Sequence, residues 1–200
     1  MLDDRHIFEL INAAPDLHGL RLVLATALAQ YLVFALAAGM VVAWVRGSPE
    51  DRYGLLRALY ACLIALALAQ LIGWLWPRPR PFALHLGQQF MPHANDPGLP
   101  SDHVTVFWTL GLAALATRQF ATWGFPLLAA GLAVGWSRVY LGIHFPLDVL
   151  AALPVAALAL ALASALGKFA DARFSKPVVE IYARFERRLR RRRNPHNGEC

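Results

Sequence analysis

Long uncharged apolar stretches alternate along this chain with short polar segments, and their lengths match the thickness of a bilayer. Leu22 to Val45 carries no charged residue, and a helix of about 20 apolar residues crosses the hydrocarbon core. Ala58 to Trp76 is a second such stretch, Phe120 to Ser137 a fourth and Val149 to Gly167 a fifth. The third, Val104 to Thr117, is shorter and recruits Ser101 to His103 into its first turn. The pattern predicts an all-α integral membrane protein, a bundle of about five transmembrane helices. At the start, Ile7, Phe8, Leu10 and Ile11 recur at helical spacing, predicting a short amphipathic helix over His6 to Ala14 on the outer surface. At the end, Val178, Ile181, Tyr182, Phe185 and Leu189 are spaced by three and four. They predict a basic amphipathic helix on the inner surface, drawn to anionic lipid. A free-standing solvated helix is the other reading of that segment.

Composition strengthens the membrane assignment. The 200 residues are 58% hydrophobic and 16% charged, whereas soluble domains carry about 25% charged residues. No linker divides the chain, so residues 1–170 read as one membrane-embedded domain and residues 171–200 as a basic cytoplasmic tail. The net charge of +6 is unevenly spread: more than half of the 19 lysines and arginines lie from Lys168 to Arg193, most densely over Arg187 to Arg193. Such a run suits nucleic acid in a soluble protein. After apolar spans it reads instead as a charge that holds the tail in the cytoplasm, and no nucleic-acid partner is expected. Five spans put the termini on opposite sides. Arg46, Arg52, Arg57 and Arg118 then share the inner side with the tail, which leaves Arg5, Arg21, Arg78, Arg80 and Arg138 outside. Cys62 and Cys200 form no disulfide framework. Asp3, Asp4, Glu9 and Asp16 give the opening the wrong charge for a cleavable signal, so the first span acts as an uncleaved anchor.

Three polar motifs gather at the outer ends of these spans: Arg78-Pro79-Arg80-Pro81, then Pro100-Ser101-Asp102-His103, then Ser137-Arg138 with His144 and Asp148. Breaking a phosphate ester requires that phosphoryl charge be held, a nucleophile be presented and the leaving oxygen be protonated. Arginine holds phosphoryl oxygens through its planar fork, which nominates Arg80 and Arg138, with Arg78 third. Arg138 reads equally as a snorkelling residue at a helix end, and Arg78 and Arg80 as an ordinary interfacial loop. Ser101 or Asp102 suits a helix N-cap, and the same helix start offers free N–H groups to an anion. His103 in that first turn is a candidate acid. His144 and Asp148 lie four apart, with Pro146 suited to the first turn of the fifth helix. The carboxylate can then hold one ring nitrogen and make the other more basic, although an acid at a helix start also favours the dipole. Asp96, Asp102 and Asp148 are too few for a magnesium or calcium cage. His85, His93 and His103 follow no zinc spacing, so no metal or other cofactor is expected.

The motifs resemble those of the type 2 phosphatidic acid phosphatase superfamily. The third is complete from Ser137-Arg138 through His144 to Asp148. The second has Asp102 where glycine is usual, and the first keeps Arg80-Pro81 but has Gly73 where a lysine is usual. These departures resemble the bacterial undecaprenyl-diphosphate phosphatases of the bacitracin-resistance type, in Arg78 to Phe82, Pro100 to His103 and Ser137 to His144. The resemblance spans roughly residues 7–165. It implies a helical bundle in the bacterial inner membrane with an outward-facing site. It also implies dephosphorylation of undecaprenyl diphosphate to the monophosphate, which recycles the lipid carrier of cell-wall synthesis. By the same resemblance His144 is the nucleophile, Asp148 orients it, His103 protonates the leaving group, and Arg80, Arg138 and Ser101 bind phosphate. Asp102 joins the substrate-binding set, and Arg78 takes the place of the missing lysine. Residues two apart in an extended stretch point the same way, so Arg78 and Arg80 are expected to approach one diphosphate together. The implied partners are a polyprenyl or other lipid phosphate and membrane lipids; no protein partner is indicated. Rival readings are a phosphatase for phosphatidic acid or phosphatidylglycerol phosphate, a lipid phosphotransferase, and a non-catalytic membrane scaffold. The scaffold is disfavoured, since Arg78, Arg80, Ser101, His103, Arg138, His144 and Asp148 are all chemically competent residue types.

Overall fold

The computed structural model describes residues 3–193, with the side chains of 189–193 left out. Among the described residues every regular element is helical. Helix α1 is Asp4–Ile11. Helix α2, Gly19–Arg46, contains a π-helical turn at Ala27–Tyr31. Helix α3 is Pro49–Leu75, α4 is Asp102–Leu115 and α5 is Ala121–Tyr140. Helix α6, Pro146–Ala165, runs on through Gly167–Ala170 and a π turn at Asp171–Ser175 into α7, Lys176–Arg193.

Local chemistry sets the helix starts. Ser48 Oγ accepts from the Asp51 N–H at 3.2 Å while Asp51 accepts from the Ser48 N–H at 2.8 Å, a capping box ahead of Pro49. Asp3 caps α1 by accepting from the Arg5 and His6 N–H groups at 2.8 and 3.0 Å. That cap starts the helix at Asp4, earlier than the expected His6.

Helices α4 and α5 pack most closely because α5 offers small residues to its neighbours. A Cβ on Gly124 would stand 2.3 Å from Leu115 Cγ, one on Gly131 2.5 Å from the Trp108 ring, and one on Gly135 2.5 Å from Val149. Removing side chains lets helices approach and gain dispersion contacts that apolar lipid cannot otherwise drive. The resulting core joins Val104, Phe107, Trp108, Val134, Val139, Phe145, Val149, Ala152 and Ala156 to Phe8 of α1. On the outside, Leu20, Val23, Phe34, Val41, Trp74, Trp123, Phe125 and Leu150 are exposed. A solvated surface does not tolerate so much large apolar side chain, whereas lipid does.

Three helices are long and apolar enough to cross a membrane: Gly19–Arg46, Pro49–Leu75 and Pro146–Ala165. Asp102–Leu115 is apolar but shorter, in line with the short third stretch expected. The chain is thus an all-helical membrane protein.

Both terminal helices are tied to the bundle by particular side chains. Phe8 is fully buried and meets Phe145 edge-on at 5.4 Å, so α1 is anchored through one residue while Leu10 stays exposed. The tail helix is pinned to α3 by Arg52. Its Nε donates to the Trp44 carbonyl at 3.0 Å, its NH1 reaches Glu186 at 3.3 Å, and its guanidinium lies 4.3 Å from the Tyr182 ring centroid. Arg57 pairs with Asp171 beside it. Val178, Ile181 and Phe185 stay exposed on α7. The dense end of the basic run, Arg190 to Arg193, lies outside the described side chains, and Cys200 outside the described residues.

Candidate active site

The site forms where the C-terminal end of α5 and the starts of α4 and α6 meet the loop 76–101. Ser101 is the N-cap residue of α4, and its backbone N–H donates to the Asp148 carbonyl at 2.9 Å, tying two helix starts together. Arg138 occupies the last turn of α5. The chain then reverses through Gly142 at φ +81°, where a Cβ would collide with the Gln88 carbonyl oxygen at 2.0 Å. Glycine alone fits that left-handed position against another backbone. The reversal carries His144 inward, and Asp148 follows in the first turn of α6.

His144 and Asp148 are both buried. Asp148 Oδ2 lies 3.4 Å from His144 Nδ1 and accepts from the Phe145 N–H at 2.9 Å. Both readings of Asp148 therefore hold: it faces the histidine and it caps the helix start. Arg80 NH1 stands 3.0 Å from His144 Nε2, so the network assigns the acceptor lone pair to Nε2. Burial first, then the charges of Arg138 and Arg80, push the imidazole well below its ordinary pKa. A neutral ring with an available Nε2 lone pair is the form able to attack phosphorus.

Two arginines converge on this ring. Arg80 is buried; its Nε donates to Asp96 Oδ1 at 3.1 Å and to the Asp96 carbonyl at 3.0 Å. Arg138, also buried, donates from NH1 to the Ala29 carbonyl in the π turn of α2 at 3.0 Å and from NH2 to His93 Nε2 at 2.9 Å. π turns often sit at functional sites, and this one presents a carbonyl to the arginine. Among the described residues, Ser101 Oγ and Arg138 Nε are the buried side-chain polar atoms without a hydrogen-bond partner. Buried polar groups are normally satisfied, and both orphans belong to the signature motifs. An oxyanion would satisfy both.

His93 belongs to this cluster, although sequence reasoning considered it only for zinc. Its Nδ1 donates to the Ala94 carbonyl at 3.1 Å, which frees Nε2 to accept from Arg138. Its ring lies 6.4 Å from that of His144. Burial and the charges of Arg80 and Arg138 hold His93 below the ordinary imidazole pKa, against an opposing hydrogen bond to Ala94. His103 is half-buried in the first turn of α4. His85, His93 and His103 form no metal-binding group among the described residues.

Gly98 also escaped notice. A Cβ there would lie 3.1 Å from Asp148 Oδ2 and 3.3 Å from Arg80 Cγ, so the loop packs against both groups only because this side chain is absent. Gly73 has a similar explanation. A Cβ there would meet Pro97 at 3.3 Å, so a lysine in that place would run into the loop.

Two candidate phosphate-binding side chains are engaged by protein groups, and Arg78 is the first. Its NH1 donates to Asp148 Oδ1 at 2.6 Å, its NH2 pairs with Asp4, and its guanidinium lies 4.7 Å from the Phe145 ring centroid. The Arg78 N–H bonds the Trp76 carbonyl at 2.8 Å, a tight turn just ahead of the arginine. A buried carboxylate needs a countercharge, and Arg78 supplies it from behind. Asp102 is the second case. Its carboxylate accepts from Gln70 Nε2 at 3.0 Å, linking α4 to α3 where a phosphate contact was expected.

The chain is similar to several known proteins. YbjG of Escherichia coli (strain K12), whose name marks it as a candidate undecaprenyl-diphosphatase, is 37% identical over 147 residues, covering 74% of each chain. The undecaprenyl-diphosphatase BcrC of Bacillus subtilis (strain 168) is 35% identical over 127 residues, 64% of this chain and 65% of that one. The bacitracin transport permease protein BcrC of Bacillus licheniformis is 31% identical over 176 residues, 86% and 83% of the two chains. The crystal structure of Aquifex aeolicus LpxE superposes with a TM-score of 0.62 at 21% identity, covering 78% of this chain and 92% of that one; it shows a shared fold. Residues 54–170 match the PAP2 superfamily, and with them the chain, motifs and fold together, belongs to that superfamily.

Proposed function

We propose that the protein is a membrane lipid-diphosphate phosphatase that converts undecaprenyl diphosphate to undecaprenyl phosphate through a phosphohistidine at His144. The observation that carries this reading is the pair of buried, unpartnered donors, Ser101 Oγ and Arg138 Nε, in the cluster around a neutral imidazole. The names of the relatives support the choice of substrate. Arg80, Arg138 and Ser101 bind the terminal phosphoryl group, and His93 holds Arg138 in register. His144 Nε2 attacks phosphorus, the P–O bond to the lipid phosphate breaks, and the departing oxygen takes a proton from His103. Neutral His103 then accepts a proton from the water that attacks phosphohistidine, which releases phosphate and restores His144. Asp148 orients the ring throughout.

Purified protein given undecaprenyl diphosphate, phosphatidic acid and phosphatidylglycerol phosphate in separate reactions is expected to release phosphate fastest from the first, with EDTA present. The carboxylates nearest the ring support the metal-free route, since Asp148 and Asp96 are each engaged by an arginine. Preference for a monophosphate lipid overturns the substrate. Loss of activity in EDTA, restored only by a divalent ion, overturns the mechanism.

We infer further that the site opens to the outer, periplasmic face of a bacterial inner membrane, with the C-terminus cytoplasmic. The site follows the C-terminal end of α3, while Arg46, Arg52, Arg57 and the tail cluster at its start. A helix of 27 residues separates the two by about 40 Å. Basic residues favour the cytoplasmic side. In a background lacking Cys62 and Cys200, Asn95→Cys in intact cells is expected to react with an impermeant thiol reagent and Arg118→Cys to stay unlabelled. The reverse pattern would turn the site toward the cytoplasm.

A further inference from the structure

We propose that the N-terminal helix is part of the catalytic apparatus: Asp4, acting through Arg78, is a positioning residue for Asp148 and thereby for His144. The proposal rests on the reading of His144 as the attacking group.

The contacts form one continuous chain. Asp148 uses Oδ2 toward His144 and the Phe145 N–H, and Oδ1 toward Arg78. Arg78 carries the link onward to Asp4. The other oxygen of Asp4 accepts from the Leu147 N–H at 2.8 Å, a free donor in the same helical turn that bears Asp148. One carboxylate from the start of the chain thus fixes the partner of Asp148 and the backbone beside it. Phe8 seats the same helix under Phe145, and the Phe145 ring lies beneath the Arg78 guanidinium.

Anchoring the helix does not by itself call for this ion pair. Phe8 is fully buried. Asn12 secures the far end, donating to the Gln88 and Tyr140 carbonyls at 3.0 and 3.1 Å and accepting from the Gln88 N–H at 2.7 Å. Asp4 adds a charge, and places it against the cation that neutralises the His144 partner. The negative charge of Asp4 offsets part of the positive potential that Arg78 sets up at Asp148 and His144. Without Asp4 that offset is lost and the surroundings of His144 become more positive. The ring becomes less basic and a poorer nucleophile. Removing Arg78 does the opposite to the field while freeing Asp148 to move. Arg80 and the His93 ring also adjoin His144, the charge of Arg138 acts on it, and these groups with His103 are unchanged in these variants.

The test compares Asp4→Asn, Arg78→Ala and the double variant in the full-length protein with undecaprenyl diphosphate, recording kcat, KM, the pH–rate profile and thermal unfolding. Asparagine still accepts from the Leu147 N–H through its one oxygen, but it loses the charge and the acceptor that faces Arg78. Asp4→Asn is expected to lower kcat about tenfold, the loss of roughly one charge-assisted hydrogen bond, with KM unchanged. Its acid limb moves to lower pH, whereas that of Arg78→Ala moves to higher pH. The double variant should be no slower than Arg78→Ala alone, because the two residues act in series, and Asp4→Glu should recover most of the turnover. Wild-type kcat and pH profile in Asp4→Asn would overturn the proposal, as would losses that add fully. If Asp4→Asn does not fold, Asp4→Ser makes the same test, with the same outcomes. A wild-type protein inactive on every lipid phosphate would instead remove the phosphatase reading.

Discussion

Replacing His144 by alanine is expected to abolish phosphate release while the protein still inserts and folds. The ring is buried and sits between Asp148 and Arg80, and it has the nucleophile's role in the proposed route. Removing a covalent nucleophile costs on the order of a thousandfold to a millionfold in turnover. The fold survives because the neighbours keep other partners. Asp148 retains Arg78 and the Phe145 N–H, and Arg80 retains Asp96 and the Pro97 carbonyl. The measurement is phosphate release from undecaprenyl diphosphate beside a thermal unfolding curve. A folded His144→Ala protein that turns over within tenfold of wild type would eliminate the covalent route.

The second large effect is expected at Arg138. Its NH1 and NH2 hold the Ala29 carbonyl and His93, and its Nε has no partner. In the bound state it contributes at least one charge-assisted hydrogen bond to the phosphoryl group, and its loss also releases His93. Each such bond is worth roughly 1.5–3 kcal/mol, so Arg138→Ala should lower kcat/KM about a hundredfold or more. Arg138→Lys keeps the charge but loses the planar fork, and about tenfold of the deficit should remain. Measured values within twofold of wild type for Arg138→Ala would return the residue to the snorkelling role open to any arginine at a helix end.

The two halves of the site differed in how readily they could be read. His144 and Asp148 lie within one turn and one helix start, so their spacing determines their contact. Ser101 and His103 were legible for the same reason, as the opening of an apolar helix. The remainder depends on contacts between distant segments. His93 lies in a loop without helical period, and only folding brings it to Arg138. Arg78 follows a tight turn at Trp76, which local alternation could not anticipate, and it answers a carboxylate 70 residues away. The amphipathic pattern of α1 was readable locally, but the contact of Phe8 with Phe145, far along the chain, was not.

The central claim is that phosphorus passes through His144, and trapping that bond tests it most directly. Protein mixed with undecaprenyl diphosphate labelled at its terminal phosphate is quenched in base, where phosphohistidine survives, and digested for peptide mapping. The account predicts label on the peptide containing His144, loss of that label on a chase with unlabelled substrate, and no label in His144→Ala. Steady turnover with no labelled protein, or label on another residue, would contradict it.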